Sequence, residues 1–179
     1  MAEYFLMSQL PSLDGIGEAT AIPITEDRFL ELCDRYLSPK ACEEIKKLSL
    51  VPSPEADLSI SPLIQRWNEG ERDLRLALGK LRAEKMEKSF PQGNKSFPVD
   101  LLRAASTAAD MESPLEAERF LAQYRMNFLE SLRPTDSFCE DFVYYYGLKL
   151  KLMLRMRKFD TQLGEAAYRN IYNSILNGD

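Results

Sequence analysis

Helix start signals recur along this chain, and they limit the folds that it can adopt more than any other feature. Ser113 and Glu116 form a capping box, with Pro114 at the first helical position between them. Ser38 and Pro39 form a similar start, in which a capping side chain is followed by proline. Apolar residues follow Ser113 at helical spacing, and no segment of the chain shows a convincing strand pattern. The sequence therefore predicts an all-α protein.

Apolar spacing and breaker residues predict seven or eight helices in one compact bundle domain over 1–179. Residues 51–62 hold three prolines, and we expect a flexible linker over about 51–61. An N-terminal apolar segment that ends at Leu10 is one candidate helix, and further helices are predicted to start at the caps Thr25 and Ser38. The next three are predicted over about 62–88, over about 99–110, and from Ser113 to Pro134. The last two start at a cap formed by Thr135 or Asp136 and at the cap Asp160, and the final helix ends at about Leu176.

The long helix predicted over about 62–88 carries the only tryptophan of the chain, Trp67. Trp67 shares the apolar stripe of this helix with Leu63, Leu74 and Leu78. We therefore expect the indole ring to be largely buried.

Residues 148–159, "LKLKLMLRMRKF", alternate apolar and basic side chains for several positions, which is also the pattern of a half-buried strand. Leu, Met, Lys and Arg are good helix formers, and no β-branched or aromatic residue occurs from 148 to 158. Met153 and Leu154 interrupt the alternation, and no turn residue separates the stretch from "FCEDFVYYY". We therefore predict a helix.

Charged residues of this predicted helix fall on two surfaces. Lys151, Arg155 and Lys158 form one stripe, whereas Lys149 lies within the main apolar face. This helix has no clean basic face opposite a clean apolar one, so a role on a membrane surface is disfavoured. Two alternatives remain for Lys149: its side chain extends past its neighbours to solvent, or a carboxylate from another helix holds it inside.

Glu69 and Glu71 of the long helix are the best candidate partners for a buried Lys149. Glu71 also precedes Arg75 by four residues, so the Arg75 side chain can steady its carboxylate. The structural or interaction candidates of the sequence are therefore Trp67, Glu71, Arg75, Lys149, Lys151 and Arg155.

The chain contains no histidine. Since histidine is the commonest general base and metal ligand near neutral pH, this absence excludes Ser-His and Cys-His nucleophile pairs and histidine zinc sites. Cys33, Cys42 and Cys139 show no Cys-x-x-Cys spacing and are expected to be reduced thiols of a cytosolic protein. We predict no catalytic residue, no metal ligand and no cofactor, and a protein that is not an enzyme.

Charge and hydropathy restrict the partners. A net charge of −5 argues against nucleic acid as the main partner, because phosphate binding needs a basic surface. No stretch approaches the ~18 apolar residues of a membrane span, and the start "MAEYFLMSQL" is a poor signal peptide, so we expect a cytoplasmic protein. The Gly-Lys pair at Gly79 lacks the spacing of a nucleotide-binding P-loop.

Three blocks of the sequence resemble a single protein family: "EYFLMSQLPSLDG", "WNEGERDLRLALGKLRAEK" and "LKLKLMLRMRKFDTQLGEAAYRNIY". They resemble a short bacterial family without assigned activity that is typically encoded among V-type ATP synthase subunits. That family is similar to a reduced form of the C-type subunit of the central stalk, an all-helical protein that is named d in eukaryotes. No catalytic residues carry over, because the C-type subunit has none.

The resemblance implies a non-catalytic subunit or assembly partner of a V/A-type rotary ATPase, an enzyme that translocates protons or sodium ions. Such a protein couples the soluble rotor to the membrane ring. Its partners would be the other ATPase subunits, and the protein would be peripheral to the membrane through that complex.

Two other functions remain open from the residues alone. A stand-alone helical adaptor or regulator would bind another protein through a helix groove. A carboxylate-based enzyme, such as a metal-dependent hydrolase, would need acids that converge on facing helices. The acids here lie mostly at helix starts or in mixed-charge runs, and no Glu-x-x-His motif occurs, so the enzyme is the least favoured of the three.

Overall fold

The computed structural model describes residues 2–16, 20–52, 61–90 and 96–158, together with residues 169 and 172. These residues form a compact bundle of seven α-helices, and no strand occurs among them. The predicted all-α fold is therefore confirmed. The helices are α1 (Ala2–Gln9), α2 (Glu26–Tyr36), α3 (Pro39–Lys47), α4 (Pro62–Lys85), α5 (Val99–Asp110), α6 (Pro114–Ser131) and α7 (Glu140–Arg157).

Local capping explains where most of these helices begin. The side chains of Thr25, Ser38 and Ser113 each accept a hydrogen bond from the backbone N–H three residues later, as predicted. Ser61 caps α4 in the same way, by accepting from Ile64 N at 3.3 Å. Each cap satisfies one of the backbone donors that a helix N-terminus leaves without an intrahelical partner.

The predicted start of α7 is wrong. We expected Thr135 or Asp136 as the cap, but α7 begins at Glu140 after the N-cap residue Cys139. The Asp136 carboxylate instead accepts the backbone N–H of Phe138 at 2.9 Å. A short polar side chain that bonds to the backbone two residues later stabilises a turn and delays the helix.

Helix α7 is the centre of the bundle. Residues 142–150 are all buried, and α7 contacts α1, α2, α3, α4 and α6. The helix predicted for the alternating stretch is confirmed from residue 148 to Arg157. The helix predicted from Asp160 to about Leu176 lies outside the described residues, apart from the helical residues 169 and 172. Most of the predicted linker, 53–60, also lies outside them.

Buried apolar side chains form two clusters along the bundle. The larger cluster joins α1, α2, α3, the first turns of α4, the end of α6 and α7. The smaller cluster joins the second half of α4, α5 and the first half of α6. Trp67 belongs to the larger cluster and is fully buried, as predicted. Helices α4 and α6 therefore run through both clusters and connect them.

The Phe128 side chain of α6 lies against the backbone of α4 at Gly70. A Cβ atom at Gly70 would lie 2.5 Å from both Cε1 and Cζ of Phe128 on α6. The Phe128 ring also stacks on Trp67, with a centroid separation of 6.1 Å. The absence of a side chain at Gly70 therefore makes room for the aromatic pair that joins the two helices.

We predict that Gly70→Ala destabilises the protein by about 1–2 kcal/mol, because overpacking against Phe128 exceeds the gain in helix propensity. Urea unfolding measures the change. The matched control is Gly79→Ala on the same helix, whose Cβ would meet only the partly exposed Phe90 ring, at 3.1 Å. We expect the control to be neutral or more stable by up to about 1 kcal/mol. Equal effects of both changes would contradict the close approach.

Candidate functional site

Glu71 and Arg125 form a buried ion pair between the two apolar clusters. Arg125 Nε donates to Glu71 Oε2 at 2.8 Å, and Arg125 Nη2 donates to Glu71 Oε1 at 3.0 Å. Both side chains are more than nine-tenths buried. Arg75 Nε also donates to Glu71 Oε1, at 2.9 Å, as the four-residue spacing predicted. One carboxylate on α4 thus binds an arginine of α6 and an arginine of its own helix.

This ion pair sets the register between α4 and α6. Glu71 lies one turn beyond Trp67 of the larger cluster and one turn before Leu74 of the smaller one. Arg125 likewise lies between Leu121 and Leu129 of the two clusters. A slip of either helix would leave a buried charge without its partner, which costs several kcal/mol.

Two buried donors beside this ion pair have no hydrogen-bond partner in the described part of the chain: Trp67 Nε1 and Arg125 Nη1. An unpaired buried donor costs about 1–3 kcal/mol. Side-chain packing and charge therefore hold α4 to α6, although two buried N–H groups stay without a hydrogen bond.

Lys149 is buried in α7 and binds two carboxylates. Its Nζ lies 2.5 Å from Asp14 Oδ1 and 2.7 Å from Glu130 Oε1, and it donates to Tyr145 Oη at 3.2 Å. Tyr145 Oη in turn donates to Glu130 at 2.7 Å. The Lys149 side chain is 9% exposed, whereas those of Asp14 and Glu130 are 53% and 36% exposed. The ammonium therefore sits at the edge of the core, where its partners reach water.

Arg133 completes this group, which we call the N-terminal clasp: Asp14, Glu130, Arg133, Tyr145 and Lys149. Arg133 Nη2 lies 3.3 Å from Asp14 Oδ2, and its guanidinium covers the rings of Phe142 and Tyr145 at 5.6 and 5.7 Å. These contacts join the loop after α1 to both α6 and α7.

Two backbone features position the loop for the clasp. Tyr146 Oη donates to the carbonyl oxygen of Pro11 at 2.8 Å. Gly15 has a φ of 71°, in the left-handed region that glycine adopts without strain, so the chain turns directly after Asp14. The loop is thus anchored before and after the carboxylate that Lys149 binds.

Charge and burial shift the pKa values in the clasp. The hydrogen bond from Lys149 lowers the pKa of Asp14. Burial alone would raise the pKa of Glu130, but hydrogen bonds from Lys149 and Tyr145 outweigh it and the pKa is lowered. Burial alone would lower the pKa of Lys149, yet its bonds to Asp14 and Glu130 raise it. All three groups are therefore held in their charged forms at neutral pH.

Of the two alternatives for Lys149, the structure shows the buried side chain held by carboxylates, but the candidate partners were wrong. Glu69 is exposed, and Glu71 is bound by Arg125 and Arg75. Helix α4 directs Glu71 towards Arg125 on α6. Asp14 was missed because "PSLDG" has only the signals of a turn, and Glu130 because the periodicity of α6 does not show which neighbour its polar side chains meet.

Two of the three basic residues of the predicted stripe, Lys151 and Arg155, bind acids of neighbouring helices. Lys151 binds Glu26 in the first turn of α2. Arg155 Nη2 lies 3.2 Å from Glu118 on α6. Helix α7 therefore holds its neighbours through Lys149, Lys151 and Arg155, and the alternating stretch serves as a structural centre.

Cys33, Cys42 and Tyr145 are held in their protonated forms, because the pKa of each is raised. Burial raises the pKa of Cys33 to about 12. Burial and the hydrogen bond to Asp34 raise the pKa of Cys42, whose Sγ lies 2.7 Å from Asp34 Oδ1. Burial also raises the pKa of Tyr145 to about 12. A thiol is a weak nucleophile in its protonated form, so these groups are poorly suited to nucleophilic chemistry at neutral pH.

Metal and membrane features are absent from the residues that the structure describes. No cluster of at least three His, Cys, Asp or Glu side chains is arranged to hold a metal ion there. None of the described helices combines the length and apolar character needed to cross a membrane.

Comparison with known proteins identifies no relative. No family model, no curated protein and no solved structure matches this chain.

We predict that Glu71→Gln lowers the free energy of unfolding by about 2–4 kcal/mol, because it leaves the buried Arg125 guanidinium without a counter-charge. Glu69→Gln on the exposed side of the same helix is the matched control and should stay within about 0.5 kcal/mol. The double change Glu71→Met with Arg125→Met should recover much of the loss, since it removes both charges. A neutral Glu71→Gln in urea unfolding would contradict the role of the pair.

We predict that Lys149→Met costs about 1–2 kcal/mol, less than the loss of a fully buried partner, because Asp14 and Glu130 can be hydrated when the ammonium is removed. Chemical denaturation of the variant measures the loss. Lys80→Met, at an exposed position of α4, is the control and should be nearly neutral. A cost equal to that of the control would show that the clasp contributes nothing to stability.

The clasp also predicts how stability depends on pH. Because the folded-state pKa values of Asp14 and Glu130 are lowered, the unfolded chain binds more protons in acid, and the clasp's contribution is lost as the pH falls below about 5. Because the pKa of Lys149 is raised, its contribution persists at neutral pH and is lost only above about pH 10. The difference in unfolding free energy between wild type and Lys149→Met should therefore narrow from pH 7 to pH 3. A constant difference would contradict this assignment.

Proposed function

We propose that this protein is a non-catalytic subunit or assembly partner of a V/A-type rotary ATPase, and that it couples the soluble rotor to the membrane ring. The sequence resemblance is the reason for proposing this class of partner, and the all-helical bundle of the described residues is compatible with it. The protein would then act by holding other subunits in place, and not by hydrolysing nucleotide.

One observation carries this proposal: the three blocks of the resemblance supply key residues of the two charged clusters. Asp14 lies in the first block, Glu71 and Arg75 in the second, and Lys149 in the third. The clasp joins the first block to the third through the contact between Asp14 and Lys149. A sequence pattern concentrated in such contacts favours a protein whose shape, and not a reaction, is its function.

A helical adaptor or regulator outside any ATPase is the second candidate. It is favoured by the exposed aromatic side chains Tyr4, Phe5 and Phe138, because aromatic residues are enriched at protein–protein interfaces. The two candidates differ in the identity of the partner.

Affinity purification of the tagged full chain from its own cells, followed by mass spectrometry, separates the two candidates. We expect ATPase subunits to be recovered under gentle conditions and to be absent from a tag-only control. Recovery of a different, specific partner and no ATPase subunit would favour the adaptor. Nucleotide hydrolysis that persists through two independent purification routes would contradict the non-catalytic assignment.

A further inference from the structure

Three exposed aromatic rings meet at the N-terminal end of the bundle. Tyr4 and Phe5 lie on α1, and Phe138 lies in the loop before α7. The rings of Tyr4 and Phe138 are 5.0 Å apart between centroids, and those of Tyr4 and Phe5 are 6.0 Å apart. Tyr4 is 55% exposed, Phe5 57% and Phe138 51%. We call these three residues the aromatic patch.

The patch is held in place from both sides. Leu6, next to Phe5, is fully buried in the larger cluster and anchors α1. The Asp136 carboxylate accepts the Phe138 N–H, and Cys139 Sγ donates to the carbonyl of Asp136 at 3.1 Å, so the loop that presents Phe138 is a defined turn. A preorganised aromatic surface loses little conformational entropy on binding.

The two chain segments that form the patch are acidic. Residues 1–27 contain no Lys or Arg, and two of their acids, Asp14 and Glu26, are already bound by Lys149 and Lys151. Residues 134–148 also contain no Lys or Arg and include Asp136, Glu140 and Asp141. Asp136 and Glu140 are exposed on either side of Phe138 in the sequence.

The basic residues that border these segments already have acidic partners. Arg28 binds Glu31 at 2.9 Å, Arg133 binds Asp14, and Lys149 binds Asp14 and Glu130. The charges of these cations are thus balanced by acids of the protein itself. The exposed carboxylates of Asp136 and Glu140 beside Phe138 give this surface an acidic character that a partner must complement.

We propose that the aromatic patch binds a basic protein surface with an apolar centre, in which aliphatic or aromatic side chains cover the rings and Lys or Arg side chains face Asp136 and Glu140. Nucleic acid and anionic membranes are polyanions, and a second copy of this chain would present the same acidic segment, so like charges oppose all three. This inference does not rest on the ATPase assignment, because the patch predicts the chemistry of the surface that binds it and not which protein carries that surface.

Photo-crosslinking in the cells of origin tests the proposal. A benzophenone side chain replaces Phe5 or Phe138 in the full chain, and the matched control places it at Val99 on α5, which is also exposed. We expect both patch positions, and not the control, to crosslink to the same protein through a peptide rich in Lys or Arg. The proposal would be overturned if no adduct formed or if Val99 gave equal adducts. It would also be overturned if the crosslinked molecule were an acidic peptide, a second copy of this chain, lipid or nucleic acid.

The second measurement is an affinity. The protein identified by crosslinking is purified and titrated with the full chain. Phe5→Ala with Phe138→Ala should weaken binding about 10-fold or more, and Asp136→Asn, which keeps an acceptor oxygen for the Phe138 N–H, about 3-fold at low salt. Val99→Ala should leave the affinity unchanged. Affinity that is independent of both salt and Asp136 would overturn the charge complementarity. A partner that is basic but is no ATPase subunit would support the patch and contradict the proposed function.

Discussion

The burial of Lys149 in the central helix is the constraint around which this fold is arranged. Helix α7 is enclosed by five other helices, so a charged side chain on its apolar face needs counter-charges from those neighbours. Asp14 and Glu130 supply them from the N-terminal loop and from α6. The contact between Asp14 and Lys149 spans most of the sequence. The buried ammonium of Lys149 therefore determines where the loop after α1 lies relative to α7.

The Glu71–Arg125 pair is a second constraint, and it lies between the two apolar clusters of the bundle. The pair lies where the larger cluster gives way to the smaller one, and its two helices continue through both. Helix α6 takes part in both charged clusters, because Arg125 faces α4 while Glu130 meets Lys149 of α7. The Glu71–Arg125 pair and the clasp thus connect α4, α6 and α7, and through these helices the two apolar clusters stabilise each other.

These internal ion pairs also shape the surface. Arg133 and Lys149 direct their charges to Asp14 and Glu130, whereas the carboxylates of Asp136 and Glu140 beside Phe138 are exposed. The same clasp that anchors the loop after α1 therefore leaves an acidic, aromatic surface at that end of the bundle. A rigid scaffold with one such surface is the kind of molecule that we propose as a rotary ATPase subunit or assembly partner.

The sequence by itself determined the helices, because their signals are local. A Ser or Thr cap and the apolar spacing that follows depend on residues within a few positions of each other, so the starts at Thr25, Ser38 and Ser113 and the burial of Trp67 could be predicted. The Glu71–Arg75 contact was also predictable, since its four-residue spacing lies within one helix. The start of α7 was missed where two local bonding patterns competed at Asp136.

Only the tertiary structure decided which charges distant in the sequence meet. Lys149 could be recognised as a charge in an apolar face, but periodicity defines a face of a helix and not the element opposite it. The choice of Asp14 and Glu130 over Glu69 and Glu71 depends on how α6 and the N-terminal loop pack against α7, over sequence separations that no local pattern records. Arg125 and the aromatic patch have the same origin, because both arise where segments distant in the chain are brought together by burial of the apolar clusters.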